Sequence, residues 1–387
     1  KKASGSTSCI AEQLERRRAS LNMVTSDQIH DSSEAAMISG FDDFRAYQRY
    51  MQCFNIEHWL AVLGEATFET ELVAITQDEA CALVTLHKRL ATPDAMTRAS
   101  ETLTSVVARL QIAMDKVKGD ADGCFVKTSS RSAKDNAEPD LIKVHVAAAL
   151  ESLPRQDENA QLVALSYASM ALLRFSEAEA VMKNLVGSER CWHDMELALA
   201  QDSWNESLVA RRWVPMEPDM EFRCFVAGGR LTAVSQYRHL IHFPRVVALR
   251  NDVLAGLVTF FEETLRSRLA GIFPDNRYIA DVAVEVSGGD ATNIMTAERL
   301  GGISLGRWWC IEVNPFYETT DGCLFSWTKE RALLEGKLAA NDTVALPTFR
   351  LRERPARGAL SLVYGAWKEA LRGSVGVACK EEDEEAN

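Results

Sequence analysis

Glu312 and Asn314 lie two residues apart in the run Trp308-Trp309-Cys310-Ile311-Glu312-Val313-Asn314-Pro315. Side chains alternate along a strand, so these two share a face, about 6.6–6.8 Å apart along the backbone. A carboxylate and an amide oxygen placed this way are hard-oxygen donors, of the kind Mg²⁺ takes alongside nucleotide phosphates. The same alternation sends Trp309, Ile311 and Val313 to the opposite face, toward a core. Pro315 ends the ladder because it has no N–H to give. Taken alone, the run describes an edge strand with a solvated polar face equally well. A second alternating run, Tyr278 to Val286, carries Asp281 on the face of Ile279 and Ala283, with Val282, Val284 and Val286 opposite. A carboxylate there costs desolvation free energy unless a cation or donor compensates, and an Arg or Lys would serve as well as a metal. If the two runs pair across the Gly-rich connection Ser287 to Gly306, Asp281, Glu312 and Asn314 form one oxygen cluster.

Cations come from two other segments. The run Cys124 to Asp135 starts as a strand and becomes a series of hydroxyls and charges, Lys127-Thr128-Ser129-Ser130-Arg131-Ser132-Ala133-Lys134. Lys127 sits in the apolar part, where an ammonium needs an anionic partner. The Ser-rich turn offers N–H groups and hydroxyls suited to phosphate oxygens, although it lacks the Walker pattern and most such runs are surface loops. Two alternating runs flank Gly228-Gly229, Glu221 to Val226 and Leu231 to Gln236, and predict a β-hairpin. Glu221, Arg223 and Phe225 share one of its faces. An exposed Glu–Arg pair on an antiparallel sheet explains the first two just as simply. Upstream, Val209 to Met216 predicts a strand leading into a hinge, and a hinge of this kind could present backbone N–H and C=O groups to an adenine edge.

In chain order these blocks are F-V-K-x-S-S-R-S-x-K-D, R-x-W-V-x-x-x-P-x-x-E-F-R-C-F-V, A-V-S-Q, D-V-x-V-E and I-E-V-N-P-F, with T-D-G-C-L-F-S-W at Thr320 to Trp327. The combination resembles the cell division cycle protein 123 family, a eukaryotic branch of the ATP-grasp fold, over roughly half the chain. The resemblance implies ATP and Mg²⁺ as cofactors. It implies that Lys127 meets the phosphates and that Arg131, Ser132 and Lys134 belong to a flexible loop covering them. Arg212, Trp213 and Val214 would lie at the adenine hinge. Arg223 would reach the phosphates, with Glu221 orienting it. Asp281, Glu312 and Asn314 would hold the metal. The family usually has Asp where this chain has Glu312, which is one methylene longer and still a ligand, and Ala133 replaces a common Pro.

The elements that must position these residues are expected in an α/β arrangement, an ATP-grasp fold with antiparallel sheets flanking a nucleotide cleft, plus a helical N-terminal region. Residues 1–40 are polar and expected to be partly disordered, with a helix around Ile10 to Arg18. Residues 41–210 would hold the helical region and first lobe, 211–345 the second lobe with hinge and metal site, and 346–387 a C-terminal helix and acidic tail. Thr76 and Glu79 form a capping-box signature in a region expected to be mostly helical from Phe41 to about Asp115, with a helix over Ala95 to Lys116. Cys124 to Ala149 predicts strand, loop and helix. Gln161 to Val186 predicts one long helix or a pair. Asp252 to Leu269 predicts an amphipathic helix buried through Val253, Leu254, Leu257, Val258, Phe261 and Leu265.

The 387 residues suffice for a large core, and the apolar fraction of 47% is ordinary for a globular chain. No apolar run reaches membrane-span length and no signal-peptide pattern opens the chain. It starts Lys1-Lys2 without Met, as a tag remnant or a truncated start would. The nine cysteines are scattered without a C-x-x-C pair, which predicts reduced cysteines in a cytoplasmic protein. The formal charge of −12 argues against nucleic acid as a partner, and part of it comes from the run Glu381 to Glu385, an expected solvated tail. Relatives of the resembled family also tend to end in acidic tails.

Other chemistry-bearing residues have simpler explanations. His239 and His242 are three apart, but their surroundings in sequence contain no Cys or acid cluster, so a surface loop is expected. Trp308-Trp309 fits core and rim packing. Cys191 and His193 are too close on a helix to face each other. Ser203 and Ser235 lack a G-x-S-x-G context. Two functions of different classes stay open. One is a nucleotide-dependent, monomeric assembly chaperone that grips the gamma subunit of translation initiation factor two and promotes joining of its subunits, as the resemblance implies. The other is an ATP-dependent carboxylate–amine ligase. Such a ligase needs a second pocket with fixed cations, and its absence from the sequence pattern favours the chaperone.

Overall fold

The computed structural model describes residues 40–88, 92–119, 122–153, 157–288, 294–296, 302–337, 346–363 and 365–372. The expected helix near Ile10 to Arg18 and the acidic tail lie outside them.

The first half builds a four-stranded sheet with helices on one side. Helix α1 (Phe44–Gln52) starts on Asp43, whose carboxylate accepts the Ala46 N–H at 2.6 Å. Strand β1 (Thr70–Ala74) follows, in a stretch expected to be helical. The Thr76–Glu79 capping box forms as predicted, with Thr76 N donating to Glu79 Oε2 at 2.8 Å and Glu79 N to Thr76 Oγ1 at 3.2 Å. It starts helix α2 (Gln77–Lys88). Helix α3 (Pro93–Lys118) has a Thr92 cap, Pro at its first position, basic residues in its last turn and Gly119 beyond its end at φ 52°. Strand β2 (Cys124–Thr128), helix α4 (Pro139–Glu151) and helix α5 (Glu158–Ala171) come next. Strand β3 (Arg174–Phe175) separates α5 from helix α6 (Ala178–Gly187), so the predicted Gln161–Val186 segment is a helix pair broken by a short strand. Helix α7 (Glu189–Leu199) leads to strand β4 (Ser207–Arg212). The sheet order is β1-β4-β2-β3, all antiparallel. Alternation decides its faces. Cys124, Val126, Leu208 and Ala210 face a core shared with α2, α3, α6 and α7, while Lys127 on β2 reaches the second sheet.

The second half supplies that sheet. Strands β5 (Glu221–Ala227) and β6 (Arg230–Gln236) form the predicted hairpin. Gly228 and Gly229 both take positive φ, 57° and 70°, as a two-residue turn of this hand requires. Helix α8 (Arg250–Phe260) continues through a π-helical turn over Phe261–Leu265, burying Val253, Leu257, Phe261 and Leu265 of the expected stripe and leaving Leu254 and Val258 half-buried. Strands β7 (Tyr278–Ser287) and β8 (Ser304–Asn314), helix α9 (Trp327–Leu334) and strand β9 (Thr348–Arg350) complete the order β8-β7-β5-β6-β9, antiparallel except β6 with β9. One face carries Phe222, Cys224, Val234, Val282, Val284 and Cys310 into the larger core.

Strand β8 departs from strict alternation. Asp281 pairs with Glu312 and the next β7 residue, Val282, pairs with Cys310, so Ile311 is an extra residue in a β-bulge. Cys310 and Val313 therefore both join the main core, whereas Trp309 lies against Phe68 and bonds Glu285 on the other side. Of the predicted inward set, Val313 joins the main core, Trp309 is buried against Phe68 on the other side, and Ile311 is only half-buried. The bulge lets Ile311, Glu312 and Asn314 all line cavities between the sheets.

Between β4 and β5 the chain runs through Trp213-Val214-Pro215-Met216 and a 3-10 turn, Pro218–Met220. That turn is anchored by Asp219, which accepts from Arg245 Nε at 2.8 Å and Nη2 at 2.5 Å, with both side chains fully buried. Asp219→Ala removes both of these hydrogen bonds from a buried guanidinium and leaves Glu217 Oε2, 3.6 Å away, beside it, so it is expected to destabilise the protein by about 3–5 kcal/mol, read by urea denaturation. A loss within experimental error would mean that Glu217, not Asp219, is enough to compensate Arg245.

Candidate nucleotide cleft

Lys127 is buried, and its ammonium forms an ion pair with Glu312 of the other sheet. Burial alone would raise the Glu312 carboxyl. The charges of Lys127 and Lys134, the Lys127 hydrogen bond and Arg211 outweigh it and hold the group down at about 2. Beside it the register aligns Arg223, Asp281 and Glu312 across β5, β7 and β8. Arg223 grips Asp281 bidentately, Nε to Oδ1 and Nη2 to Oδ2, both at 2.8 Å. Asn314 Nδ2 donates to Asp281 Oδ2 at 3.0 Å. The predicted oxygen cluster thus forms, and the cation beside Asp281 in this structure is Arg223. Burial pushes the Asp281 carboxyl up, against Arg223, and the neighbouring Glu312 charge adds to the rise. Desolvation works against the Arg223 charge, but Asp281 outweighs it and holds the guanidinium firmly protonated.

Two cavities meet at Lys134 and Tyr237, which line both, and the larger of the two reaches Arg223 and Glu312 of this row. The first, about 290 Å³, is largely apolar and lies against the hinge, with Phe125, Leu172, Met216 and Ile311 in its walls. Arg212, Trp213, Val214 and Glu221 also line it. The second, about 380 Å³, is the more polar of the two, with as much polar as apolar wall, and holds Arg131, Ser132, Arg223, Glu312 and Asn314. An apolar slot beside the hinge suits a flat heterocycle, and the adjoining charged chamber suits phosphates with a hard cation.

Several side chains have neighbours the sequence did not suggest. Arg131 pairs with Asp194, Nε to Oδ2 at 2.8 Å, and Ser130 Oγ donates to the same oxygen at 2.7 Å. The Ser-rich loop is thereby tied to α7. Glu221 lies 4.0 Å from Arg238, so the residue that orients Arg223 in this structure is Asp281. The Arg212 guanidinium is 3.6 Å from Glu69 at the rim of the apolar cavity. Sequence reasoning missed Tyr237, whose ring lies 4.9 Å from the Arg223 guanidinium, and Asp321, whose carbonyl accepts from Arg223 Nη1 at 2.7 Å. It also missed Arg211, buried with its guanidinium on the Ile311 carbonyl at 2.5 Å and on Thr67 Oγ1 at 2.6 Å.

Glu206 lines the polar cavity, with Glu57 beside it. Buried Glu206 accepts from Asn55 Nδ2 at 3.2 Å, and Glu57 accepts from Ser129 Oγ at 2.5 Å. Burial first, then the Glu57 charge, push the Glu206 carboxyl up to about 7 from an ordinary 4.5. A carboxyl raised on folding favours the folded state below its unfolded value and loses that contribution as pH rises through the folded one. Glu206→Gln keeps the shape of the protonated acid. It is therefore expected to raise the melting temperature at pH 8 and to change it little at pH 5. Equal shifts at both pH values would show that Glu206 is ionised throughout.

The D123 family model matches residues 166–359, which include the hinge, Arg223, Asp281, Glu312 and Asn314 but not Lys127. A translation initiation factor eIF2 assembly protein from Danio rerio is 32% identical over 147 residues, 37% of this chain and 35% of that protein. Its counterpart from Xenopus tropicalis is 29% identical over 143 residues, 37% of this chain and 36% of that protein. A cell division cycle protein 123 from Eremothecium gossypii is 28% identical over 163 residues, 41% of this chain and 40% of that protein. The matched region thus spans well under half the length of these relatives. The solved structure of Cdc123 from Schizosaccharomyces pombe aligns over 78% of this chain and 96% of its own at 20% identity, with a TM-score of 0.49. With half of its length matched by the family model, the chain belongs to the D123 family, whose curated members include the cell division cycle protein 123 and eIF2 assembly proteins.

Proposed function

We propose that the cleft is an ATP-grasp site that binds ATP with Mg²⁺, and that the protein works as a nucleotide-dependent chaperone in assembly of translation initiation factor eIF2. The observation that carries the nucleotide reading is the meeting of the two cavities at Lys134 and Tyr237, with Arg223, Glu312 and Asn314 lining the polar one and Asp281 buried behind them. The base would occupy the apolar slot at Trp213 and Val214. The phosphates would take Lys127, Lys134 and Arg223, with Arg131 and Ser132 at their edge. Asp281, Glu312 and Asn314 would hold the metal. The donor set fits, because Mg²⁺ takes carboxylate and amide oxygens and keeps phosphate oxygens as further ligands. Bound there, Mg²⁺ would neutralise phosphate charge.

The assembly role rests on the family and on the printed names of the relatives. The partner we propose is the gamma subunit, gripped by the nucleotide-bound protein. Among the described residues no helix is long and apolar enough to cross a membrane. The ligase alternative draws on one observation: the polar cavity continues past the acidic row to Gln48, Gln201 and Glu206. ADP release stimulated by amino acids or short peptides would favour it, and slow turnover that no acceptor raises would favour the chaperone.

Thermal shift tests the site, because ligand at about 100 times its Kd stabilises by roughly 2.7 kcal/mol. Wild-type protein should shift with ATP and Mg²⁺ and much less with ATP and chelator. Replacing both Glu312 and Asn314 by Ala should remove the Mg²⁺ dependence, and a wild-type shift in that variant would refute the metal assignment. Lys127→Ala should weaken ATP more than adenosine. Equal losses for the two ligands would make Lys127 a structural residue instead.

A further inference from the structure

The nucleotide reading leaves one cluster unused. His239 follows β6, and Asp321 and Cys323 lie in the turn between β8 and α9. The fold brings an acid and a thiol to the histidine that the sequence had left in a bare loop. One ligand atom from each lies within 4.8 Å of the others, and His239 Nδ1 is 4.0 Å from Asp321 Oδ2. The backbone on both sides is fixed. Arg352 Nε donates to the His239 carbonyl at 2.9 Å, Arg223 Nη1 holds the Asp321 carbonyl at 2.7 Å, and Cys323 N donates to Asp321 Oδ1 at 2.8 Å. The side chains keep room to adjust, with Asp321 65% and His239 26% exposed.

An imidazole nitrogen, a thiolate and a carboxylate oxygen are the donor types zinc takes. Tetrahedral donors about 2.0–2.3 Å from zinc lie roughly 3.3–3.6 Å apart, so small side-chain rotations close the cluster. Mg²⁺ prefers oxygen donors, which separates this cluster from the Glu312–Asn314 pair. We propose that His239 Nδ1, Asp321 Oδ2 and Cys323 Sγ bind one divalent transition metal of the zinc class, with the fourth position open to water. Binding forms the three metal–ligand bonds and releases the Cys323 thiol proton to solvent; the metal's oxidation state does not change. The site fastens the turn whose Asp321 carbonyl holds Arg223, at the wall of the cleft.

The test uses the full chain without nucleotide, titrated with Co²⁺ alone and then Zn²⁺. The expected result is one equivalent of Co²⁺ bound with a thiolate-to-cobalt absorption band in the near ultraviolet, displaced by Zn²⁺. Cys323→Ser should abolish the band. His239→Ala should weaken Zn²⁺ binding about tenfold or more. His242→Ala should leave it unchanged, because His242 Nδ1 instead meets the Arg352 carbonyl at 2.8 Å. Melting curves of each variant report folding, and if Cys323→Ser does not fold, the contrast between the two histidine variants decides. Absence of binding to wild type, a band that survives in Cys323→Ser, or equal losses in the two histidine variants would overturn the proposal. The result is independent of whether ATP binds, since no nucleotide is present.

Discussion

The structure depends on how it compensates charge buried between two sheets. Lys127 comes from the first sheet, and Arg223, Asp281 and Glu312 from the second. None of these groups would tolerate burial alone, and removing one partner of such a pair leaves an uncompensated charge. The Lys127–Glu312 pair therefore does two things. It joins the sheets across the cleft, and it keeps a carboxylate ionised next to a second acid. A ligand carrying both phosphates and a divalent cation matches this arrangement in kind. Phosphates would replace carboxylates as partners of the cations, and the metal would replace the cations as partner of the carboxylates. Neither half of such a ligand satisfies the row alone, which is the physical reason to expect ATP and Mg²⁺ to bind together.

The larger scaffold serves the same row. The Arg245–Asp219 pair anchors the turn just before β5 and so fixes where Arg223 begins its strand. Arg211 spans from β4 to the Ile311 carbonyl at the bulge, holding the bulged strand against the first sheet. The bulge matters because it turns Glu312 and Asn314 to the cleft while Cys310 and Val313 both stay in the core.

Much of this was legible from residues alone. Alternation identified the β5–β6 hairpin, the pairing of β7 with β8 and the convergence of Asp281, Glu312 and Asn314. Lys127 was legible as a buried cation in need of an anion. The bulge was not, because period-two alternation assumes an unbroken ladder, and the run from Trp308 to Asn314 has apolar residues enough to satisfy either register. Strand β1 escaped notice because five residues between helical patterns carry little periodicity of their own. Tyr237 carried no signal beyond lying just after a strand. Asp321 sat inside the quoted Thr320–Trp327 block, but nothing in a turn sequence says that its backbone carbonyl will meet an arginine 98 residues away. His239 shows the same limit, since its acidic and thiol neighbours come from a distant turn that only the fold brings close.

The most direct measurement is a crystal structure of the protein soaked with Mn²⁺ and a non-hydrolysable ATP analogue, with anomalous data collected for manganese. The account predicts an anomalous peak within ligand distance of Glu312 and Asn314, phosphates against Lys127 and Arg223, and the base in the apolar slot beside Trp213 and Val214. A nucleotide bound elsewhere, or a base in the slot with no metal at Glu312 and Asn314, would contradict it.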